Sequence, residues 1–426
     1  MLNHSLIRAL TSLRGNPRAC VYTEPLWAIP FHLFIPFAAV FMAALAVTDQ
    51  QIGLIASAAM LVRAVFSLLG GVIADKIGRK RTTFIFDLIS WTIPCLLWAF
   101  SQNFWWFLIA AMLNGMGEVT ANSWNCLLIE DANKSTLVDI YAWVHISGLL
   151  AVFFAPLAGL LIERLDLVLA VRIIYLFSFV SMTLKFVILN KYATETGIGI
   201  KRMEETRDSS LLSLIAGYGG VVRKLFHSSR MMLALFIATV FIVTSMVTGT
   251  FFGLYAVRNL DMPEFFLAYF PIIRAVIMLL FLFVIQPKIA RFRLKVPMLV
   301  GISLYIAAYA LLIVQPPGNL LLLLVCIFLE SCAHSLIWPR RDSIHALFIA
   351  PGERARLNSV IASVIFIITI PFGYLSGWMS SLDARYPFML IILIFAVQFI
   401  VVFLSRALRT SNIRALEAAQ TAEGCH

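Results

Sequence analysis

Charge is what this chain has least of. Only 13% of its 426 residues are Asp, Glu, Lys or Arg, against about 25% in a typical soluble globular protein. That scarcity excludes a soluble globular protein, because too few polar side chains remain to cover a water-facing surface. Cysteine is also sparse. Cys20, Cys95, Cys126, Cys326, Cys332 and Cys425 show no metal-ligand spacing and none falls in an expected external loop, so free thiols are expected, with no disulfide and no metal site. No nucleophile constellation stands out, which argues against an enzyme, and no cofactor is expected. A cleavable signal is missing too: "MLNHSLIRALTSLRGNPRAC" has no apolar core before Pro17, so insertion is expected to start with the first spanning helix.

What the chain has in excess is apolar surface, with 61% hydrophobic residues and a mean hydropathy of +0.92. That surplus needs lipid as its solvent, which makes the expected fold all-α and polytopic. Twelve apolar stretches of spanning length can be read: 25–47, 51–74, 82–101, 103–129, 138–162, 167–189, 231–256, 265–286, 297–315, 319–349, 357–381 and 386–407. The long connector at 190–230 contains "SSLLSLIAGYGGVVRKLF" (209–226), which reads as a surface-lying amphipathic segment. Net charge is +11. Its placement argues for topology and not for a nucleic-acid partner. With the N-terminus inside, 26 of the 33 Lys and Arg fall on the cytoplasmic side, three (Arg164, Arg258, Arg385) fall outside, and Arg63, Arg172, Lys185 and Arg274 lie within spans. This is the positive-inside pattern for an even number of helices with both ends in the cytoplasm.

Directly after the second span stands Gly71-Val72-Ile73-Ala74-Asp75-Lys76-Ile77-Gly78-Arg79-Lys80. A degenerate copy, Val284-Ile285-Gln286-Pro287-Lys288-Ile289-Ala290-Arg291, follows the eighth. A further echo joins "CLLIEDANKSTLVDI" (126–140) to "ALFIAPGERARLNSV" (346–360). The first motif closely resembles the G-x-L-A-D-R-x-G-R-K loop of the major facilitator superfamily. The resemblance implies two six-helix bundles, 25–189 and 231–407, flanked by a cytoplasmic segment (1–24), a linker (190–230) and a tail (408–426). It also implies alternating access about a midplane site, with Gly71, Asp75, Gly78 and Arg79 as a conformational latch between the halves. Asp75 is placed to pair with Arg79 at a helix end.

At about 1.5 Å per residue, Arg63 lies about 18 Å from Asp75 and Arg274 about 21 Å from Lys288, near the middle of a core about 30 Å thick. A charge at that depth is expected to face protein or water and to mark a solute path. Two arrangements fit. Each arginine is neutralised by an acid of its own half (Glu118 or Asp87 for Arg63, Glu330 for Arg274), or the two face each other and clamp an anion through paired hydrogen bonds. The second is similar to the nitrate/nitrite porters of the superfamily, although the glycine-rich signatures of that group are absent from helices five and eleven.

Asn114, Glu118, Asn122 and Asn125 share one face of helix four, and Glu330, His334, Trp338 and Arg341 repeat the spacing on helix ten. Asn122 and Trp338 are candidate substrate contacts; Glu118, Glu330 and His334 are candidate proton carriers. Arg340 and Arg341 read as vestibule charges or as ordinary cytoplasmic basic residues. Arg172 and Lys185 are expected to snorkel to the two interfaces, and Thr244, Ser245, Thr248 and Thr250 of helix seven to serve packing. The leading expectation is a monomeric, proton-coupled carrier of a small organic or inorganic anion in the cell membrane, with a bacterial inner membrane the natural setting. The alternatives are a proton-driven exporter of lipophilic or cationic compounds, and a membrane sensor that does not transport.

Overall fold

The computed structural model describes residues 10–132, 136–208, 225–289, 292, 294–348 and 354–405. Among them no strand occurs. The helices are α1 (Gly15–Ala44), α2 (Asp49–Ile77), α3 (Arg79–Ala99), α4 (Phe104–Gly115 continued by Gly117–Ile129), α5 (Leu137–Val152 continued by Ala155–Leu165), α6 (Leu167–Tyr192), α7 (Ser229–Arg258), α8 (Glu264–Ile285), α9 (Lys295–Val314), α10 (Leu320–Phe348), α11 (Arg354–Leu382) and α12 (Tyr386–Leu404). Among the described residues, eleven are long and apolar enough to cross a membrane. The other, α4, is interrupted at Met116 between two glycines, residues that favour helix least after proline. A Cβ on Gly115 would stand 2.9 Å from the Ala59 carbonyl oxygen, so the glycine lets α4 lie directly against α2. Residues 209–224 of the amphipathic stretch, the tail 408–426 and residues 349–353 of the "ALFIAPGERARLNSV" echo lie outside the described residues, as do Ala290 and Arg291 of the degenerate motif.

The first helix starts ten residues earlier than its apolar window. Pro17 is tolerated at a helix start, where amide donors have no partner in any case, and Cys20 and Val21 are buried against Leu127, Leu128 and Leu189. Turns are closed by side chains read locally: Thr48 and Gln51 form a capping box on α2, Asn103 caps α4, and Asp166 caps α6 through Val168 and Leu169.

Prolines inside the helices free carbonyls that neighbouring helices then use. Pro94 has no N–H for the carbonyl of Ser90, which instead accepts from Asn114 Nδ2 at 2.9 Å. Pro30 does the same to Leu26, whose carbonyl accepts from Ser181 at 2.8 Å. Beside Pro371, the Ser57 hydroxyl enters the ladder of α11: it accepts from Tyr374 N at 2.8 Å and donates to the Ile370 carbonyl at 2.6 Å. These are helix-to-helix bonds made where a hydrocarbon setting offers no water to take them.

The last of those contacts crosses between halves. The motif loop and the linker lie at one face of the molecule, the terminal face; the α1–α2 and α7–α8 turns lie at the other, the far face. α2 and α11 stay in contact along much of their length, with Ser363 donating to the Ala64 carbonyl at 2.8 Å and Leu68 packed against Leu357 and Ile361, and at the far face the halves meet most tightly. A Cβ on Gly53 of α2 would stand 2.4 Å from the Gly373 carbonyl oxygen and 2.8 Å from Gly377 Cα of α11. Asp49 accepts from Arg258 at 2.8 Å and from Ser380 at 2.7 Å, and a Cβ on Gly159 of α5 would meet the Phe265 carbonyl at the start of α8 at 2.9 Å. The far face is therefore sealed backbone against backbone.

Candidate functional site

Two chambers meet at Ser245 and Gly249 of α7, the first between the halves and the second within the second half. The first, about 400 Å³, has aromatic walls, including Phe31, Phe34, Trp91, Trp98 and Tyr175, with Arg63 and Asn114 as polar members. The second, about 210 Å³, is lined by Thr244, Thr248, Arg274, Tyr309, Glu330 and His334, among others. Burying so many aromatic faces around so few polar groups suits a solute with an apolar body and one or two charged atoms.

Arg63 and Arg274 each meet an acid of their own half. Arg63 Nη1 stands 3.7 Å from Glu118 Oε1, with the two side chains 34% and 24% exposed. That is too long for a hydrogen bond and leaves the guanidinium available at the chamber wall. Arg274 Nη2 approaches Glu330 Oε2 to 2.7 Å. The contact is close without being aligned: Nε and Nη2 of Arg274 are buried and have no hydrogen-bond partner, so this ion pair keeps donors unspent. Glu330 is also reached by the Tyr309 hydroxyl at 3.5 Å, and Tyr309 bonds Thr248 at 3.0 Å. Phe252 lies against the Arg274 guanidinium, 5.1 Å from ring centre to Cζ. His334 is held one turn along by Tyr305 at 3.2 Å and by the rings of Phe241 and Trp338.

Other sequence candidates are placed differently. The Trp338 indole donates to Asp342 at 2.7 Å, while Arg341 pairs with Asp342 and stacks over Phe241. Asn125 accepts from Tyr141 at 2.8 Å, and Asn122 packs over Gly71, 3.4 Å from where its Cβ would be. Arg340 is buried and donates to the Leu336 carbonyl at 2.7 Å, so it is no ordinary solvated surface charge. Arg172 donates to the Ser101 carbonyl beside the α3–α4 turn. Lys185 corrects the snorkelling expectation: it is buried and bonds Glu24 at 2.8 Å, because α1 extends far enough to bring an acid beside it. The hydroxyls of α7, expected to serve packing, line the chambers. Tyr305 and Tyr309 were not anticipated, although their i, i+4 spacing in an otherwise apolar helix was visible.

At the terminal face Arg79 Nη1 bonds Asp75 at 2.7 Å and the Ala74 carbonyl at 3.0 Å, with Glu130 at 3.4 Å. The Glu195 carboxylate accepts from the amides of Arg79 and Lys80 at the start of α3. Gly78, at φ +91°, leaves room for it: a Cβ there would stand 2.5 Å from Glu195 Oε2. Thr206 donates to the Asp75 carbonyl. The motif thus ties the ends of α2, α3 and α4 to the linker helix Gly197–Thr206.

The sequence profile of the Major Facilitator Superfamily matches residues 28–316. The chain belongs to that superfamily. It is therefore a multi-pass membrane protein of a transport family and not an enzyme. An uncharacterized transporter of the family from Bacillus subtilis (strain 168), YqjV, is 29% identical over 140 residues, a match spanning 30% of this chain and 31% of that relative's length. In fold, the chain is similar to the nucleoside transporter NupG (TM-score 0.67, 16% identity, 95% of this chain and 99% of that one). It is likewise similar to a POT family transporter solved with 5-aminolevulinic acid (TM-score 0.70, 14% identity, 91% and 95%).

Proposed function

We propose that the protein carries a small organic anion with an apolar body across the cell membrane by alternating access, coupled to protons. The observation that supports this most is Arg63. It is a permanent cation beside an aromatic-walled chamber, with its nearest carboxylate 3.7 Å away. A substrate carboxylate or phosphate would take the donors that Glu118 leaves open, and its body would fill a space too large and too apolar for a bare inorganic ion. Glu330 is the coupling acid on this reading. A proton on it releases Arg274, whose Nε and Nη2 then serve the substrate, and His334 passes the proton onward. Asp75, Gly78 and Arg79 act as the latch by holding the linker to the first half. The distribution of basic residues supports placing both termini in the cytoplasm; on that placement the sealed far face is the outer one and this state opens inward.

The aromatic walls also favour a second reading, export of lipophilic or cationic compounds, with Glu118 and Glu330 as the binding acids. Thermal-shift screening of the purified protein separates the two, since a ligand of the native state raises its apparent stability. Stabilisation by aromatic or aliphatic carboxylates and phosphates is expected. Stabilisation by hydrophobic cations alone overturns the anion reading. With a stabilising anion in hand, Arg63→Gln and Arg274→Gln should each abolish uptake into proteoliposomes, whereas lysine restores only part of it.

A further inference from the structure

We propose that Asp87, Glu24 and Lys185 form a one-proton site inside the first bundle, separate from the central chambers, in which Asp87 holds the proton. The three residues come from α3, α1 and α6 and are 6%, 8% and 5% exposed. At about 1.5 Å per residue they all lie about 10–14 Å inward of the terminal face. Lys185 directs its ammonium to Glu24 Oε2 at 2.8 Å and is ringed by Trp27, Trp124 and Phe186. That pair is closed and neutral. An ionised Asp87 beside it would leave an uncompensated negative charge at hydrocarbon depth, which is costly unless a proton discharges it.

A route for proton exchange is present beside the carboxyl. A cavity of about 10 Å³ lined by Asp87, Lys80, Thr83 and Asn190 opens beside the carboxyl, about the space of one water. The charged or titratable groups facing Asp87 are Glu24 and Cys20 of α1, Lys185 of α6 and, across that cavity, Lys80 of its own helix. The five-residue π-helix Leu88–Thr92 follows Asp87 directly, and its Ser90 carbonyl is bonded by Asn114, one turn before Glu118. A change at Asp87 is thereby tied to α4, the helix that carries the Arg63 partner across its interruption at Met116.

The site does not depend on what the protein carries; only its use in coupling rests on the proposed function. Two readouts that need no substrate test it. Infrared spectroscopy of the purified protein at neutral pH should show the carbonyl stretch of a buried protonated carboxyl that survives Glu118→Gln and Glu330→Gln and disappears in Asp87→Asn. In thermal unfolding between the ordinary carboxylate range, about pH 4, and neutral pH, the native protein holds one more proton than the unfolded chain. Its folding constant should therefore fall about tenfold per pH unit relative to Asp87→Asn. A band that persists in Asp87→Asn, or parallel pH profiles, overturns the proposal. Should Asp87→Asn not fold, the Glu24→Gln/Lys185→Met double variant must keep the band; its loss there overturns the proposal equally.

Discussion

Gly53→Ala is the smallest change that attacks the far-face seal. The added carbon would lie 2.4 Å from the Gly373 carbonyl oxygen and 2.8 Å from Gly377 Cα. An ordinary contact needs about 3.4 Å, so α2 and α11 must part by about 1 Å, and neither obstacle is a side chain that can swing away. Overpacking of this kind costs about 1–3 kcal/mol. The cost falls only on the state in which the far ends of the two helices touch. At about 1.4 kcal/mol per tenfold, the balance should move toward a far-face-open state by about fivefold to a hundredfold. Nitroxides at the exposed positions Glu163 and Pro317, in a background freed of native cysteines, would report it as a growing population of longer distances by double electron–electron resonance. Gly148→Ala is the control, since nothing lies within 4 Å of its Cβ position. A Gly53→Ala distance distribution matching that of the control would refute the idea that this backbone contact seals the molecule.

Two further perturbations address the charge pairs and the terminal face. Glu330→Gln should lower thermal stability by about 1–3 kcal/mol, because it strands a guanidinium that is already short of partners; adding Arg274→Gln should recover part of that loss, and strictly additive losses would mean the two groups do not interact. Glu195→Ala should cost about 1 kcal/mol as a lost helix cap and speed hydrogen exchange at the amides of Arg79 and Lys80, with exchange elsewhere in α3 unchanged; equal protection in the variant would show the carboxylate to be dispensable.

Much of this was legible because it is local. Window hydropathy found the apolar stretches that form the long helices, and the motif spacing paired Asp75 with Arg79. One of two arrangements weighed from the sequence, an acid of the same half for each arginine, is the one observed at Arg63–Glu118 and Arg274–Glu330. What escaped is what depends on helices meeting. Glu24 stood outside the apolar window that begins at Pro25, so nothing offered Lys185 a partner 161 residues away. Asn114 lines the first chamber, as the polar face suggested, but nothing in the sequence showed that its amide also goes to a carbonyl released by Pro94 on a neighbouring helix. Glu195 was lost within a connector, because a carboxylate caps a foreign helix start only once the fold brings the two together.

The two charge pairs are equivalent by repeat, α2 with α4 and α8 with α10, yet they differ in tightness, 3.7 Å against 2.7 Å. Under the proposed function that asymmetry orders events. An anion entering from the terminal face meets an arginine already free on one side and another still held by its acid, so the first supplies attraction and the second supplies control. Were both pairs closed, the chambers would present no net field to a single charge; were both open, nothing would link release of the solute to a proton. A cavity that is neutral overall but unequal in its two halves can bind an ion from water and still let it go.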